Sequence, residues 1–354
     1  MNDRPNPLSV STLFFCVAVS FCAAQDDPSV REVLPLYKII PAAKPEELTP
    51  AEPVPEAMFR SWTRSQGDEG SRRYSALTQI NRSNVRELRA AWTFRSGDGA
   101  ANVQCTPIIV DGVLFAPTPG RAVVALDAVS GKERWRVNFP VNGPVRLQDA
   151  PARRGLVYWP GDSANPRRVL VGVGDWIYAL DPATGCAIEG FGEKGRTSLP
   201  TGATVSGAVC KNVFVTSGLF GDVYGFDVRT GEQLWRFHSV AQDGEFGADT
   251  WNKQQQGANG WGGLSVDEGR GIAFVSLGAP RPDMVGVGRL GDNLFSNCVL
   301  ALDVLTGKRL WHFQDVRHDI WDLDVCTPPN LVTITREGRR VDAVTGMSKS
   351  GHLM

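Results

Sequence analysis

Four short segments share one pattern, with apolar residues alternating with small or polar ones and ending in Asp. They are VVALD (Val123–Asp127), WIYALD (Trp176–Asp181), VYGFD (Val223–Asp227) and VLALD (Val299–Asp303). A period of two over such a run predicts a half-buried β-strand. Each strand leads into one recurring phrase: ALDAVSGKERW (Ala125–Trp135), ALDPATGCAIE (Ala179–Glu189), GFDVRTGEQLW (Gly225–Trp235) and ALDVLTGKRLW (Ala301–Trp311). Asp is followed by Ser or Thr at +3, by Gly at +4 and, in three of the four, by Trp at +8. Asp and Thr side chains bond nearby backbone and Gly takes positive φ, so the phrase predicts a hairpin turn. The Trp then falls on the returning strand, where it can pack between neighbouring units.

The phrases recur roughly every 50 residues, with one longer interval that AQDGEFGADTWNKQQQGANG (Ala241–Gly260) helps to fill. Units of that length with about four strands each predict propeller blades. The fold class expected is therefore all-β, a β-propeller. A sandwich with coincidental turns would not repeat the phrase four times.

Composition agrees with this class. Of 354 residues, 38 are Gly and ten are Trp, which suits many tight turns between large packing residues. Net charge is −1, so nothing electrostatic points to nucleic acid or to an anionic membrane surface.

The chain opens with LSVSTLFFCVAVSFCAA (Leu8–Ala24), a mostly apolar run after Arg4. It predicts an export signal over residues 1–24 and a periplasmic or cell-envelope location. If left uncut, the run would tether the chain to a membrane. Residues 25–60 are rich in Pro, Ala and Glu and predict a linker or wrapped arm. The propeller is expected over 61–354. Five cysteines follow the signal, Cys105, Cys186, Cys210, Cys298 and Cys326, and their odd number and wide spacing predict no disulfide framework. No C-x-x-C-H haem attachment or C-x-x-C metal knuckle is present.

Two longer stretches narrow the reading. SRRYSALTQINRSNVRELRAAWTF (Ser71–Phe94) and WGGLSVDEGRGIAFVSLGAP (Trp261–Pro280) resemble the two signatures of the quinoprotein dehydrogenases. These are eight-bladed propellers that bind pyrroloquinoline quinone (PQQ). Within that family the chain is most similar to the glucose dehydrogenase branch. The alcohol dehydrogenase branch has adjacent cysteines where Gln148 and Asp149 stand here.

The resemblance implies a site. HDIWDLDVC (His318–Cys326) is similar to the family segment whose first Asp after Trp is the catalytic base, here Asp322. SKSGHLM (Ser348–Met354) holds Lys349, at the place of a lysine that contacts the quinone oxygens. A carboxylate can take the proton of an alcohol, and a cation can stabilise charge developing on a quinone oxygen. Trp261 matches the tryptophan on which the flat cofactor stacks. Arg154 matches an arginine that pairs with a cofactor carboxylate, a task suited to a planar bidentate donor. Thr204 and Ser217 fall near hydroxyls that bond those carboxylates. Asp319 and Asp324 read as turn and strand-end residues.

The family also holds a divalent cation, usually Ca²⁺, with Asp322 among its ligands by resemblance. Hard cations want several oxygens. Here the loop of TSGLFGDVYGFD (Thr216–Asp227) is short, leaving Asp222 as its candidate carboxylate, and Ala279 and Arg281 stand where relatives carry Asn or Thr.

The function expected is PQQ-dependent oxidation of a sugar or polyol CH–OH group, with electrons passing to a quinone or a separate acceptor. The alternative is a non-catalytic propeller of the same repeat, acting as a scaffold in the cell envelope. Eight blades need on the order of 500 residues. The chain carries about five blades, and so is expected to be an N-terminal fragment.

Overall fold

The computed structural model describes residues 61–99, 103–120, 122–139, 154–203, 205–252, 256–336 and 338–354. The expected signal and linker over 1–60, and also Gln148, Asp149 and Thr204, lie outside these residues.

The first sheet holds β1 (Ile108–Val110), β2 (Val113–Pro117), β3 (Ala122–Asp127) and β4 (Glu133–Asn138), paired antiparallel in sequence order. The second holds β5 (Val157–Trp159), β6 (Arg168–Val173), β7 (Trp176–Leu180) and β8 (Arg196–Ser198). The third holds β9 (Ala208–Cys210), β10 (Val213–Gly218), β11 (Gly221–Asp227) and β12 (Gln233–Phe237). Then come β13 (Gln256–Gly257), β14 (Gly263–Asp267), β15 (Ile272–Leu277), β16 (Pro280–Arg281), β17 (Cys298–Asp303) and β18 (Arg309–Gln314). Of these, β14-β15-β17-β18 form the fourth sheet and β13 pairs with β16. A hairpin of β19 (Asn330–Arg336) and β20 (Arg339–Thr345) follows.

The first strands β1, β5, β9, β14 and β19 neighbour one another in turn, so each sheet radiates outward from a common inner row. One apolar cluster lies between sheets one and two, a second between two and three, and a third between three and four. This is the propeller arrangement, and the described residues form four four-stranded blades and a hairpin that follows them.

One expectation changes. Of the four strands before the turns, β7 keeps the alternation, whereas β3 and β17 are buried at every position but the last, and β11 throughout. A blade's inner strands are covered by a neighbouring blade on both faces, so alternation loses its contrast there.

The recurring phrase forms the expected turn. In each copy the Gly amide donates to the Asp carbonyl at 2.8 Å, as in Gly307 to Asp303. The Asp carboxylate caps the amide at +3 in every copy and also the one at +2 in three of them; Asp303 Oδ1 accepts from Leu305 and Thr306.

The Trp explains the rest of the phrase. Trp235 Nε1 donates to the Val304 carbonyl at 2.8 Å, one residue past the next blade's Asp, and its ring lies on Gly307. Trp135 does the same with Pro182 and Gly185, and Trp92 with Ala128 and Gly131. The second copy lacks Trp, and Phe191 lies against Gly231 in its place.

The segment ahead of the first blade crosses the inner row. Trp62 bridges Ile109 and Arg64 bridges Val157, while Arg64 Nη2 donates to the Leu264 carbonyl at 2.6 Å. The longest interval between phrases holds two insertions rather than one, residues 238–262 and 282–297.

Candidate functional site

The segment His318–Cys326 follows the outer strand of the fourth blade and crosses back toward its inner edge, where Val325 bridges Ser348. Its three carboxylates do three different things. Asp319 is almost fully buried and accepts from the Trp321 amide at 2.8 Å, the Leu323 amide at 2.7 Å and Asn297 Nδ2 at 2.8 Å. Its carbonyl takes a hydrogen bond from the buried Arg289. Asp319 therefore holds the amides on either side of Asp322. Asp322 itself sits at φ 57°, a left-handed conformation that a non-Gly residue keeps only when its surroundings enforce it.

Asp322 is half-buried and is the most accessible carboxylate of the group. Its Oδ2 lies 2.7 Å from Lys349 Nζ. Burial pushes its pKa above the ordinary carboxylate value, Asp324 adds to the rise, and the Lys349 hydrogen bond opposes it. Asp324 is nearly buried. Its Oδ2 lies 2.5 Å from Lys349 Nζ and its Oδ1 accepts from the Ala279 amide at 2.6 Å.

Trp261 completes the cluster. Its half-buried indole has Arg154 Cζ 4.5 Å and Lys349 Nζ 5.4 Å from the ring centroid. Gly278 lets the carboxylate and the indole approach: a Cβ there would lie 2.3 Å from Asp324 Oδ1 and 3.1 Å from Trp261 Nε1. The structure thus brings together Asp322, Lys349, Trp261 and Arg154 from four separate stretches of chain.

Two other expected residues are engaged within the protein. Ser217 Oγ donates to the Asp222 carbonyl and accepts from the Gly260 amide, both at 2.9 Å. It supports the turn that carries Trp261. Asp222 Oδ2 accepts from Arg236 Nε at 2.7 Å and its Oδ1 from the Ser239 amide at 3.0 Å. Both oxygens expected to face a cation therefore take protein donors. Arg281 lies over the Phe220 ring, with its Nε 4.0 Å from Asp283.

These contacts test the implied groups. A flat aromatic ring flanked by two cations suits a planar polyanion, so Trp261, Arg154 and Lys349 fit PQQ. The described residues do not fit Ca²⁺. No three His, Cys, Asp or Glu among them gather as a metal set, and Asp222 is paired with Arg236.

Asp319 and Asp324 read in the sequence as turn and strand-end residues; Asp319 does cap its turn, and the contact of Asp324 with Lys349 is the part that was missed. For Asp319, burial decides, and burial is a property of the fold.

Comparison with known proteins identifies the family. The family model "PQQ: Glucose/ethanol/alcohol dehydrogenase, beta-propeller domain" matches residues 62–354. Quinoprotein glucose dehydrogenase of Escherichia coli is 30% identical over 87% of this chain and 43% of its own length. Quinate/shikimate dehydrogenase (quinone) of Acinetobacter baylyi is 29% identical over 86% of this chain and 43% of its own. The crystal structure of quinohemoprotein alcohol dehydrogenase from Comamonas testosteroni superposes with a TM-score of 0.67 at 26% identity, covering 81% of this chain and 46% of the other. The chain spans less than half the length of these relatives.

Proposed function

From the premise that the chain belongs to the PQQ glucose/ethanol/alcohol dehydrogenase β-propeller family, we propose that it forms the base-bearing part of a dehydrogenase oxidising a sugar or polyol CH–OH group. The observation that carries this reading is the contact of Lys349 with Asp322 beside the Trp261 ring. PQQ, when bound, supplies the two-electron oxidant.

The protein's own groups do the rest. Trp261 offers the stacking face, and Arg154 the guanidinium for a carboxylate of the bound ring. The Asp322 carboxylate takes the substrate hydroxyl proton, and its left-handed backbone, held by Asp319, fixes where that happens. Lys349 keeps positive charge beside the reacting oxygens, in a partly desolvated place where charge counts for more than in water. No step is assigned to a metal.

The similarity to glucose dehydrogenases favours a sugar or polyol over a simple alcohol. Electrons leave to a quinone or a separate acceptor. The apolar run Leu8–Ala24 supports a periplasmic setting. The test is turnover by the full-length protein loaded with PQQ, with aldoses, polyols and primary alcohols compared against a dye acceptor. Asp322→Asn should lower kcat by about 10²- to 10⁴-fold, the range of general base catalysis. Unchanged turnover in that variant would remove Asp322 as the base, and no turnover with any substrate class would refute the reading.

A further inference from the structure

Lys349 is held by more than its contact with Asp322. Its amide donates to the Asp324 carbonyl at 2.9 Å, and its Nζ lies 2.5 Å from Asp324 Oδ2. One residue thus fixes both ends of the lysine, main chain and ammonium. The Asp324 side chain is only 7% exposed, against 31% for Asp322. Its other oxygen is locked to the Ala279 amide, and the missing Cβ of Gly278 makes room for it. Asp324 cannot swing away without breaking buried hydrogen bonds, whereas Asp322 faces solvent.

Building on the reading above, we propose that Asp324 is the residue that positions Lys349, setting its ammonium between two carboxylates and against the Trp261 face. An ammonium has three donors. Asp324 and Asp322 take one each, and the third remains for an oxygen of a ligand lying on the indole.

The test reads Lys349 itself in the full chain without cofactor. Trace acetylation with acetic anhydride, followed by mass spectrometry, gives its reactivity relative to the exposed Lys308. In the wild type, Lys349 should react about tenfold more slowly than Lys308, the size expected of a charge-assisted hydrogen bond. Asp324→Asn should abolish most of that protection, while Asp322→Asn should leave most of it. The wild-type comparison stands even where a variant misfolds, and Gly278→Ala, which displaces the Asp324 carboxylate without removing it, should also expose Lys349.

Equal reactivity of Lys349 and Lys308 in the wild type overturns the proposal, as does full protection in Asp324→Asn. In parallel, Asp324→Asn should weaken PQQ binding, followed by tryptophan quenching, by about tenfold. Protection by Asp324 in a wild-type protein that never binds PQQ would overturn the functional reading and leave the positioning role intact.

Discussion

The Trp-on-Gly contact between blades makes a quantitative prediction at Gly307. This residue has φ +68°, and a Cβ built there would lie 2.6 Å from two ring atoms of Trp235. Gly307→Ala therefore carries two costs. The left-handed conformation costs Ala about 1–2 kcal/mol. The ring must also move, and the Trp235 hydrogen bond to Val304, at 2.8 Å, goes with it. Leaving that buried donor unpaired costs about 1–3 kcal/mol. The total is about 2–5 kcal/mol, or about 4–10 °C in Tm at about 2 °C per kcal/mol for a body of this size.

Gly112 is the matched control. It has φ +72° and nothing within 4 Å of its would-be Cβ, so Gly112→Ala should show the backbone cost alone, about 2–4 °C. Differential scanning calorimetry of the two variants separates the effects. Equal shifts would mean that the indole does not seat on the turn, and the account of the repeat would fail.

Other outcomes follow from the same geometry. Asp319→Asn puts an amide against three donors, so it should destabilise the protein by about 1–3 kcal/mol in chemical denaturation. It should also lower kcat more than it raises KM, because the Asp322 loop loses its brace; a loss of stability with kcat intact would contradict that role. The raised pKa of Asp322 places the acidic limb of the kcat/KM profile above the usual carboxylate range near pH 4, and a limb at or below that pH would contradict the desolvation described. Glu69 is pushed up to about 7, mainly by burial, with Arg64 opposing. A raised acid favours the folded state below its unfolded pKa and loses that contribution as pH rises through about 7. Glu69→Gln should therefore flatten the decline of stability between about pH 5 and pH 8, and an unchanged slope would rule Glu69 out as its source.

Much of this was legible in the sequence because the repeat carries its own physics. Asp caps the turn, Gly takes the positive φ, and Trp at +8 reaches the next unit, so blade and turn could be read from one phrase. The missing Trp of the second copy was not legible as a substitution. Phe191 lies two residues past the +8 position and still packs on Gly231. The burial of β11 on both faces was hidden as well, because a strand's pattern records its own chemistry and not how many neighbours cover it.

At the site, Asp322 and Lys349 were each expected from the family resemblance, and the fold places their side chains in contact. The different tasks of Asp319, Asp322 and Asp324 were not foreseen. Three identical side chains within six positions differ in burial and partners, and only the path of the chain sets those. Asp222 was read as a candidate for a cation because the sequence does not show Arg236 returning beside it on β12.

The central claim is that the Trp261 face, with Lys349 and Asp322 beside it, is the PQQ site. The most direct measurement is an experimental structure of the full-length protein loaded with PQQ. The account predicts the ring stacked on the Trp261 indole, with Lys349 Nζ within hydrogen-bonding distance of a quinone oxygen and the Asp322 carboxylate facing the open side. A ring bound elsewhere, or one stacked on Trp261 with Lys349 turned away, would contradict it.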